Sequence, residues 1–263
     1  MTAQPASGEL RIAALQPSIS VVLERLGCLD SLVACTRYCI AAVPALRERK
    51  LTVIADSWSA TTEEILSASP NLVVASVPYR LESLAAILKS GCPVLTLAPH
   101  SLGDIYQEIR LLGSILEVHQ RAQELIAAMR GMIDQIREQA SRAPDSPLVY
   151  CEEWGKPLIH SQAWVAELVC AAGGRFLGVP GSVTRPEIIA EADPDVLIFA
   201  WCGAGDRVPL RRVVEMRQWQ QLRAVRTGRV YCIPDEYLNT PAPSLLDGLH
   251  ALAARIHPEI FPH

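Results

Sequence analysis

The 263-residue sequence lacks an excess of basic residues, since 24 Lys and Arg stand against 28 Asp and Glu and the formal net charge is −4. Proteins that bind nucleic acid usually carry a basic patch that neutralises phosphates. No cluster of Lys and Arg interleaved with aromatic residues occurs along this chain. We therefore expect no nucleic-acid partner.

Long apolar runs are missing as well. A membrane-spanning helix needs roughly 20 consecutive apolar residues, whereas uncharged stretches such as 65–79 are shorter and are broken by Ser, Pro and Asn. The N-terminal segment MTAQPASGEL contains neither the basic start nor the apolar core of a secretory signal. We expect a protein that does not span a membrane, and the N-terminus taken alone favours a cytoplasmic location.

Paired cysteine motifs and catalytic signatures are also absent. The eight cysteines show no CxxC and no regular spacing, a pattern too sparse for a disulfide scaffold. We expect no metal site, although Cys35 and Cys39 have a spacing at which thiolates could bind a soft metal. The chain contains no Gly-rich phosphate loop, no HExxH and no GxSxG. We expect a protein that is not an enzyme and has no cofactor of its own.

Half of the residues are hydrophobic, which is enough to build packed cores. Short β-rich runs bounded by Pro, Gly or Asn alternate with helical patterns, and this alternation predicts an α/β fold with mainly parallel sheets. The predicted strands are 11–16, 72–76, 94–98, 148–152, 196–201 and 229–233.

Two helices are predicted in the middle of the chain. Ser101 and Asp104 form a variant of the capping box, and apolar residues at helical spacing follow them. A longer apolar stripe predicts a helix over 118–141, which ends before Pro144 and Pro147. This is the longest helix that the sequence predicts.

The same sequence pattern occurs on both sides of this long helix. Segments 62–74 and 186–198 each read as a helix, a Pro-Asn or Pro-Asp turn and a buried strand, and aligning their prolines also aligns Glu63 with Glu187. Such a pattern is common in α/β proteins. Together with the long helix, it predicts two α/β lobes: one at residues 8–115, one at residues 144–263, and the connecting helix at residues 116–143.

The order of these segments resembles the helical-backbone (class III) periplasmic substrate-binding proteins, which deliver cobalamin, haem and ferric siderophores to ABC importers. The resemblance covers nearly the whole chain, and it rests on collinear order and not on any one motif. It implies two α/β lobes joined by one long helix, with a ligand cleft between the lobes. The matching segments are 11–18 (RIAALQPS), 26–33, 63–74, 91–94, 101–105, 171–174 (AAGG), 187–198 and 219–231.

Within this family, Tyr150–Trp154 and Trp164–Leu168 are similar to the cobalamin-binding branch. The resemblance thus implies a monomeric receptor that takes a cobalt corrinoid such as vitamin B12 and passes it to the permease of an ABC importer. That branch often carries Arg-Pro-Gly-Pro-Arg before the last helix, where this chain has Thr-Pro-Ala-Pro-Ser at 240–244. The loss of two basic groups favours a neutral or weakly charged ligand.

Aromatic residues at the ends of predicted strands are the candidates for ligand contact, because parallel sheets bind ligands beyond the carboxyl ends of their strands and flat rings suit a macrocycle. Ordinary packing is the alternative for each. These candidates are Tyr38, Trp58, Tyr79, Trp154, Trp201 and Tyr237, and neighbouring Glu152 and Glu153 could accept hydrogen bonds from ligand amides.

The resemblance further implies that Glu63 and Glu187 dock onto arginines of the permease. The alternative is that each glutamate complements the dipole of its helix. His100 and His160 could act as an axial ligand to a corrinoid or haem metal, although a structural role is the simpler interpretation.

Three other functions stay open. A ferric siderophore or haem receptor would share the fold. A cytosolic carrier or sensor of corrinoids or metals is favoured by the N-terminus and the cysteines, whereas the family resemblance implies the periplasm. An enzyme on a two-lobed scaffold of the nitrogenase-like kind would need cluster-ligating cysteines, and the irregular spacing disfavours it.

Overall fold

The computed structural model describes residues 9–57, 59–76 and 81–262. The chain divides into two compact units. The first unit reaches to Pro99 and also contains Tyr106–Leu125, and the second contains His100–Ile105 and the chain from Ile126 onward. Each unit has its own β-sheet. No helix in the described ranges is both long enough and apolar enough to cross a bilayer.

The sheet of the first unit has five strands in the order β3-β2-β1-β4-β5, and all of its pairings are parallel. The central strand β1 is fully buried, as expected for a parallel sheet that is covered on both faces. The strands are β1 Ile12–Ala14, β2 Leu32–Thr36, β3 Thr52–Ile54, β4 Leu72–Ser76 and β5 Val94–Leu97.

Two of these strands were not predicted. Strand β2 runs directly into the next helix at Arg37, with no Gly, Pro or Asn between them to mark a boundary. Strand β3 has three residues, and Val53 in its middle is about half exposed. Strand β2 therefore lacks the marked boundary on which the sequence prediction relied, and strand β3 lacks the buried run.

Several helices in the first part of the chain start at recognisable signals. Pro17 occupies the first turn of the first helix, and Thr61 forms a capping box with Glu64. Ser101 caps the fifth helix as predicted, because its hydroxyl accepts a hydrogen bond from the Asp104 N–H at 3.1 Å. The first five α-helices are α1 Pro17–Arg25, α2 Arg37–Ala42, α3 Thr62–Ser67, α4 Leu81–Lys89 and α5 Leu102–Ile115.

The sheet of the second unit has the order β11-β10-β6-β7-β9, with β8 also paired to β6. Strands β11, β10, β6 and β8 are parallel, whereas β7 and β9 are antiparallel additions. The prediction of mainly parallel sheets is thus confirmed. The strands are β6 Leu148–Gly155, β7 Leu158–His160, β8 Arg175–Phe176, β9 Val183–Thr184, β10 Val196–Phe199 and β11 Val230–Cys232.

The long helix predicted over 118–141 is confirmed as α6 His119–Ala140. Its buried stripe includes Ala122, Ile126, Met129, Ile133, Ile136 and Ala140, as the periodicity predicted. The remaining α-helices are α7 Ala163–Ala171, α8 Pro186–Ala192, α9 Leu210–Met216, α10 Arg223–Arg226, α11 Asp235–Leu238 and α12 Leu245–Ile256.

The repeated sequence pattern has the same structure in both units. In the first unit it forms α3 and β4, and in the second it forms α8 and β10. The residue after each turn proline also has the same role: Asn71 accepts a hydrogen bond from the N–H of Arg11, and Asp195 accepts one from the N–H of Leu148, both at 2.7 Å. Each turn is therefore bonded to the strand that lies next to it.

Gly248→Ala should lower the free energy of unfolding by about 1–3 kcal/mol. A methyl group there would collide with the backbone carbonyl of Tyr237, which cannot rotate away. Gly131→Ala in α6 is the matched control, because a methyl group there meets no atom within 4 Å. The control should raise stability by about 0.5–1 kcal/mol. Urea unfolding followed by circular dichroism measures both changes, and equal effects would contradict the packing argument.

Candidate ligand-binding site

A pocket of about 640 Å³ opens in the second unit beside the carboxyl ends of β6 and β10. Its walls are the turn of the β6–β7 hairpin at 154–158, the loop at 201–204 that follows β10, and helix α9, together with Pro186 at the start of α8. The pocket therefore lies at the end of the parallel strands where α/β sheets bind ligands.

Trp201 is held in a fixed orientation at the wall of this pocket. Its indole Nε1–H donates a hydrogen bond to Oε1 of Glu152 at 2.8 Å. Gly155 lies against the face of the indole, because a Cβ at that position would come within 2.7 Å of the ring. Phe199 contacts the ring edge-to-face at a centroid distance of 6.3 Å. The pocket thus offers a pre-oriented aromatic surface.

The carboxylate of Glu152 is fully buried and accepts four hydrogen bonds. Besides the bond from Trp201, Arg217 donates two at 2.7 and 2.8 Å, and the Tyr150 hydroxyl donates one at 2.6 Å. The guanidinium of Arg217 also lies 4.8 Å from the ring centre of Trp219. A buried charge with this many partners is neutralised, and it links the sheet to the pocket.

Tyr150 serves this network as a hydrogen-bond donor. Burial and the adjacent Glu152 carboxylate raise the pKa of the Tyr150 hydroxyl, so that it keeps its proton at neutral pH. The sequence interpretation of Glu152 as a ligand contact is not supported by this geometry, because three side chains of the protein occupy its oxygens.

The loop that carries Trp201 is rigidly held at its far end. The carboxylate of Asp235 accepts hydrogen bonds from the N–H groups of Gly203 and Gly205, each at 2.8 Å. Both glycines have positive φ values, 77° and 58°, a conformation that favours glycine. Asn239 donates to the carbonyl of Ala200 at 2.6 Å. The loop therefore has its shape before any ligand arrives.

Cys202 lies in this loop and Glu153 lies beside it, with the Cys202 Sγ 3.9 Å from Oε1 of Glu153. Burial raises the pKa of the Glu153 carboxyl, whose Oε2 accepts a hydrogen bond from Gln162 at 2.8 Å. Desolvation by its neighbours and the nearby carboxylates of Glu153 and Asp235 raise the pKa of Cys202. The Cys202 thiol therefore stays protonated at neutral pH and is not a poised nucleophile.

The structure brings two of the predicted ligand contacts together. Trp154, which is 44% exposed, and Trp201 both line the pocket. Tyr237 lies on α11 and is partly buried outside the pocket lining. Tyr38 belongs to the first unit, where the guanidinium of Arg37 lies 4.9 Å from its ring centre. Trp58 and Tyr79 fall outside the described residues.

The two predicted docking glutamates occupy equivalent positions. Glu63 is in the first turn of α3 and Glu187 is in the first turn of α8, and both are exposed. The capping box of α3 uses the neighbouring Glu64, so that it leaves the Glu63 carboxylate facing solvent. Within the described parts of the chain, neither Glu63 nor Glu187 forms an ion pair.

The candidate metal ligands do not converge. Cys35 and Cys39 are completely buried, and the hydrogen bond to Cys39 together with burial raises the pKa of Cys35. His160 packs against Tyr150 in the interior, where burial lowers its pKa and keeps the ring neutral, whereas His100 is exposed. The described residues contain no group of three or more His, Cys, Asp or Glu side chains that could hold a metal ion.

Comparisons with known proteins agree with this architecture. Residues 12–237 match the profile of a family described as periplasmic binding protein. The chain is 24% identical to an uncharacterized ABC transporter substrate-binding lipoprotein, YvrC of Bacillus subtilis, over 95% of this chain and 81% of that protein. It is 25% identical to a vitamin B12-binding protein of Vibrio cholerae, over 95% of this chain and 89% of that protein.

A solved structure shows the same fold. A periplasmic heme binding protein from Pseudomonas aeruginosa superposes with a TM-score of 0.84 at 21% identity, and the match covers 95% of this chain and 93% of that one. The predicted α/β architecture with two sheets is therefore confirmed. The names of these similar proteins include a vitamin B12 binder and a haem binder.

Arg217→Met should lower the free energy of unfolding by about 3–5 kcal/mol, because it leaves the Glu152 carboxylate buried without its cation. The double variant Glu152→Gln/Arg217→Met should lose less, since no buried charge remains. Denaturant unfolding followed by circular dichroism measures both.

The control for this pair is Arg211→Met, on the same helix as the pocket wall. Arg211 pairs with Glu215 at the surface across one helical turn, and its loss should change stability by no more than about 0.5 kcal/mol. Equal losses for Arg211→Met and Arg217→Met would show that the buried pair has no special role.

Proposed function

Because this chain belongs to the periplasmic binding protein family, whose profile matches residues 12–237, we propose that it is the solute-binding receptor for a corrinoid such as vitamin B12. In this role it presents the ligand to the permease of an ABC importer. The receptor class comes from the family. The choice of a corrinoid as the ligand is supported by the pocket of the second unit.

The two tryptophans at the pocket are the observation that carries the proposal. Trp201 is fixed by Glu152 and Gly155, and Trp154 and Met216 present apolar surface to solvent at the pocket, with exposures of 44% and 59%. Exposed apolar side chains that line a pocket are typical of ligand sites. Rigid indole faces give a large contact area to a flat macrocycle at low entropic cost.

Haem or a ferric siderophore is the second candidate. The similarity of the fold to a periplasmic heme binding protein favours it, and so do the basic side chains at the pocket, Lys156 and Arg212. YvrC is named as a lipoprotein and the solved haem binding protein as periplasmic, which favours the family's location over a cytosolic carrier. We therefore place the receptor outside the cytoplasmic membrane in this proposal.

A titration of the purified protein with cyanocobalamin, dicyanocobinamide and haemin, followed by absorbance and calorimetry, tests the ligand. We expect saturable one-to-one binding of a corrinoid at micromolar or tighter affinity. Tight binding of haemin with no binding of either corrinoid would replace the first candidate by the second. Binding of none of the three would contradict both macrocycles and make a ferric siderophore the next ligand to titrate.

Trp201→Ala should weaken the binding of the ligand by tenfold or more, since a large aromatic contact in a pocket contributes about 1.4 kcal/mol or more. The fold should persist, because Trp201 is only partly buried. Leu88→Ala, which removes an exposed apolar side chain of the first unit, is the control and should leave affinity unchanged. Equal affinity of Trp201→Ala and the wild type would place the ligand elsewhere.

We also propose that Glu63 and Glu187 dock the receptor onto basic residues of the permease. Both carboxylates are exposed in the first turn of equivalent helices, one in each unit. Exposed charges of this kind set the orientation of partners and the rate of association more than the affinity.

The double variant Glu63→Lys/Glu187→Lys should keep its ligand affinity and lose the ability to stimulate ATP hydrolysis by its transporter in proteoliposomes. Glu82→Lys/Glu191→Lys is the matched control, because these two exposed glutamates lie on α4 and α8 and the net charge changes equally. A tenfold fall in ligand affinity in the first variant would show that Glu63 and Glu187 contact the ligand. Normal stimulation would show that they do not dock the permease.

A further inference from the structure

The pocket of the second unit is basic in an acidic protein. Lys156, Arg212 and Arg217 line it, and among the described residues that form its walls none is acidic. The whole chain has a formal net charge of −4. The charged side chains of the lining therefore have the opposite sign to the net charge of the chain.

Only one of the three cations is neutralised. Arg217 is bonded twice to the buried carboxylate of Glu152 behind the pocket wall. Lys156 and Arg212 are exposed, and within the described ranges neither forms an ion pair. The neighbouring Arg211 has the Glu215 carboxylate as its partner instead. The carboxylates nearest to the lining, Glu153 and Asp235, bond to Cys202 and Gly203 and not to these two cations. Lys156 and Arg212 are therefore left to contact a ligand.

Lys156 and Arg212 lie on different walls of the pocket, and aromatic side chains line the same pocket. Lys156 is in the turn of the β6–β7 hairpin, and Arg212 is on α9. Trp154 and Trp201 complete the lining with flat apolar faces. A ligand that matches both features has an apolar plane and a negatively charged edge, because anions gain charge-assisted hydrogen bonds from Lys and Arg.

We propose that this pocket binds the anionic edge, a carboxylate or a phosphate, of a flat apolar ligand, and that Lys156 and Arg212 determine specificity for that charge. The inference deepens the proposed function and rests on it for the role of the pocket as the ligand site. It also revises the expectation of a neutral ligand that came from residues 240–244, because the lining of this pocket carries Lys156 and Arg212.

The first test uses a matched pair of aromatic probes that needs no knowledge of the natural ligand. The probe 8-anilinonaphthalene-1-sulfonate carries an anion, and N-phenyl-1-naphthylamine is its neutral counterpart. We expect Lys156→Gln/Arg212→Gln to weaken saturable binding of the sulfonate by about tenfold, with little change for the amine. Energy transfer from tryptophan to the probe reports binding near the pocket, and Trp154→Ala and Trp201→Ala should each reduce that signal.

Lys50→Gln/Arg226→Gln is the control, because both residues are exposed, neither lines the pocket and the net charge changes equally. It should bind both probes as the wild type does. Raising the ionic strength from about 0.05 M to about 0.5 M should weaken sulfonate binding by the wild type much more than by Lys156→Gln/Arg212→Gln, because exposed charges are screened by salt. Equal sulfonate binding by the wild type and Lys156→Gln/Arg212→Gln, or none by the wild type, would overturn the proposal.

The second test separates the two sources of the anion. Haemin is compared with its dimethyl ester, which lacks the carboxylates, and cyanocobalamin is compared with dicyanocobinamide, which lacks the phosphate-bearing nucleotide. The member of a pair that carries the anion should lose about tenfold in affinity in Lys156→Gln/Arg212→Gln, whereas its neutral counterpart should not.

If no macrocycle binds the wild type and the sulfonate result holds, the anion subsite stands and the corrinoid or haem function fails. If a macrocycle binds and its affinity does not depend on these cations, the receptor function stands and the anion subsite fails.

Discussion

The buried carboxylate of Glu152 is the constraint on which the arrangement of the second unit depends. A charge without access to water needs several donors, and here they come from three different places: Tyr150 on the same strand, Trp201 after β10, and Arg217 after α9. The strand, the loop and the helix must therefore take one relative position. Since replacing such a pair with apolar residues is often neutral for stability, its clearest effect here is on geometry.

The same network explains why the pocket can be both rigid and basic. The buried carboxylate of Glu152 neutralises the guanidinium of Arg217, which also lies against the ring of Trp219. The loop bearing Trp201 is held from the other side by Asp235. Because the wall is ordered in advance, a ligand does not have to supply the free energy for ordering it.

Much of the architecture could be predicted from the sequence. The periodic stripe of α6 and the cap at Ser101 predicted their helices to within about one residue, since both signals are local. The strands β2 and β3 were missed because they have no local boundary or are partly exposed. The β6–β7 hairpin was missed as well, because its pairing depends on contacts within the sheet that no single segment reveals.

The candidate site could be predicted only in part. Trp154 and Trp201 were identified because aromatic residues at strand ends are visible in a sequence, and the structure puts them at one pocket. Arg217 was not identified, since an arginine at the end of an amphipathic helix resembles any surface cation. Lys156 and Arg212 were missed for the same reason. Glu152, which directly follows the apolar run 148–151, was the one sequence signal of a buried polar network. From the sequence, it was interpreted as a possible ligand contact.

The sequence by itself determined the class of fold, the long helix and the repeated helix–turn–strand unit, because each depends on interactions between residues that are near in the chain. Only the tertiary structure decided which polar groups bond to one another inside the protein and which stay exposed for contact with a ligand. Glu152 and Arg217 are separated by 65 residues and bind each other, whereas Lys156 and Arg212 stay exposed at the pocket. The physical reason is that the burial of a charge depends on what packs around it, and that is set by the folding of distant segments together.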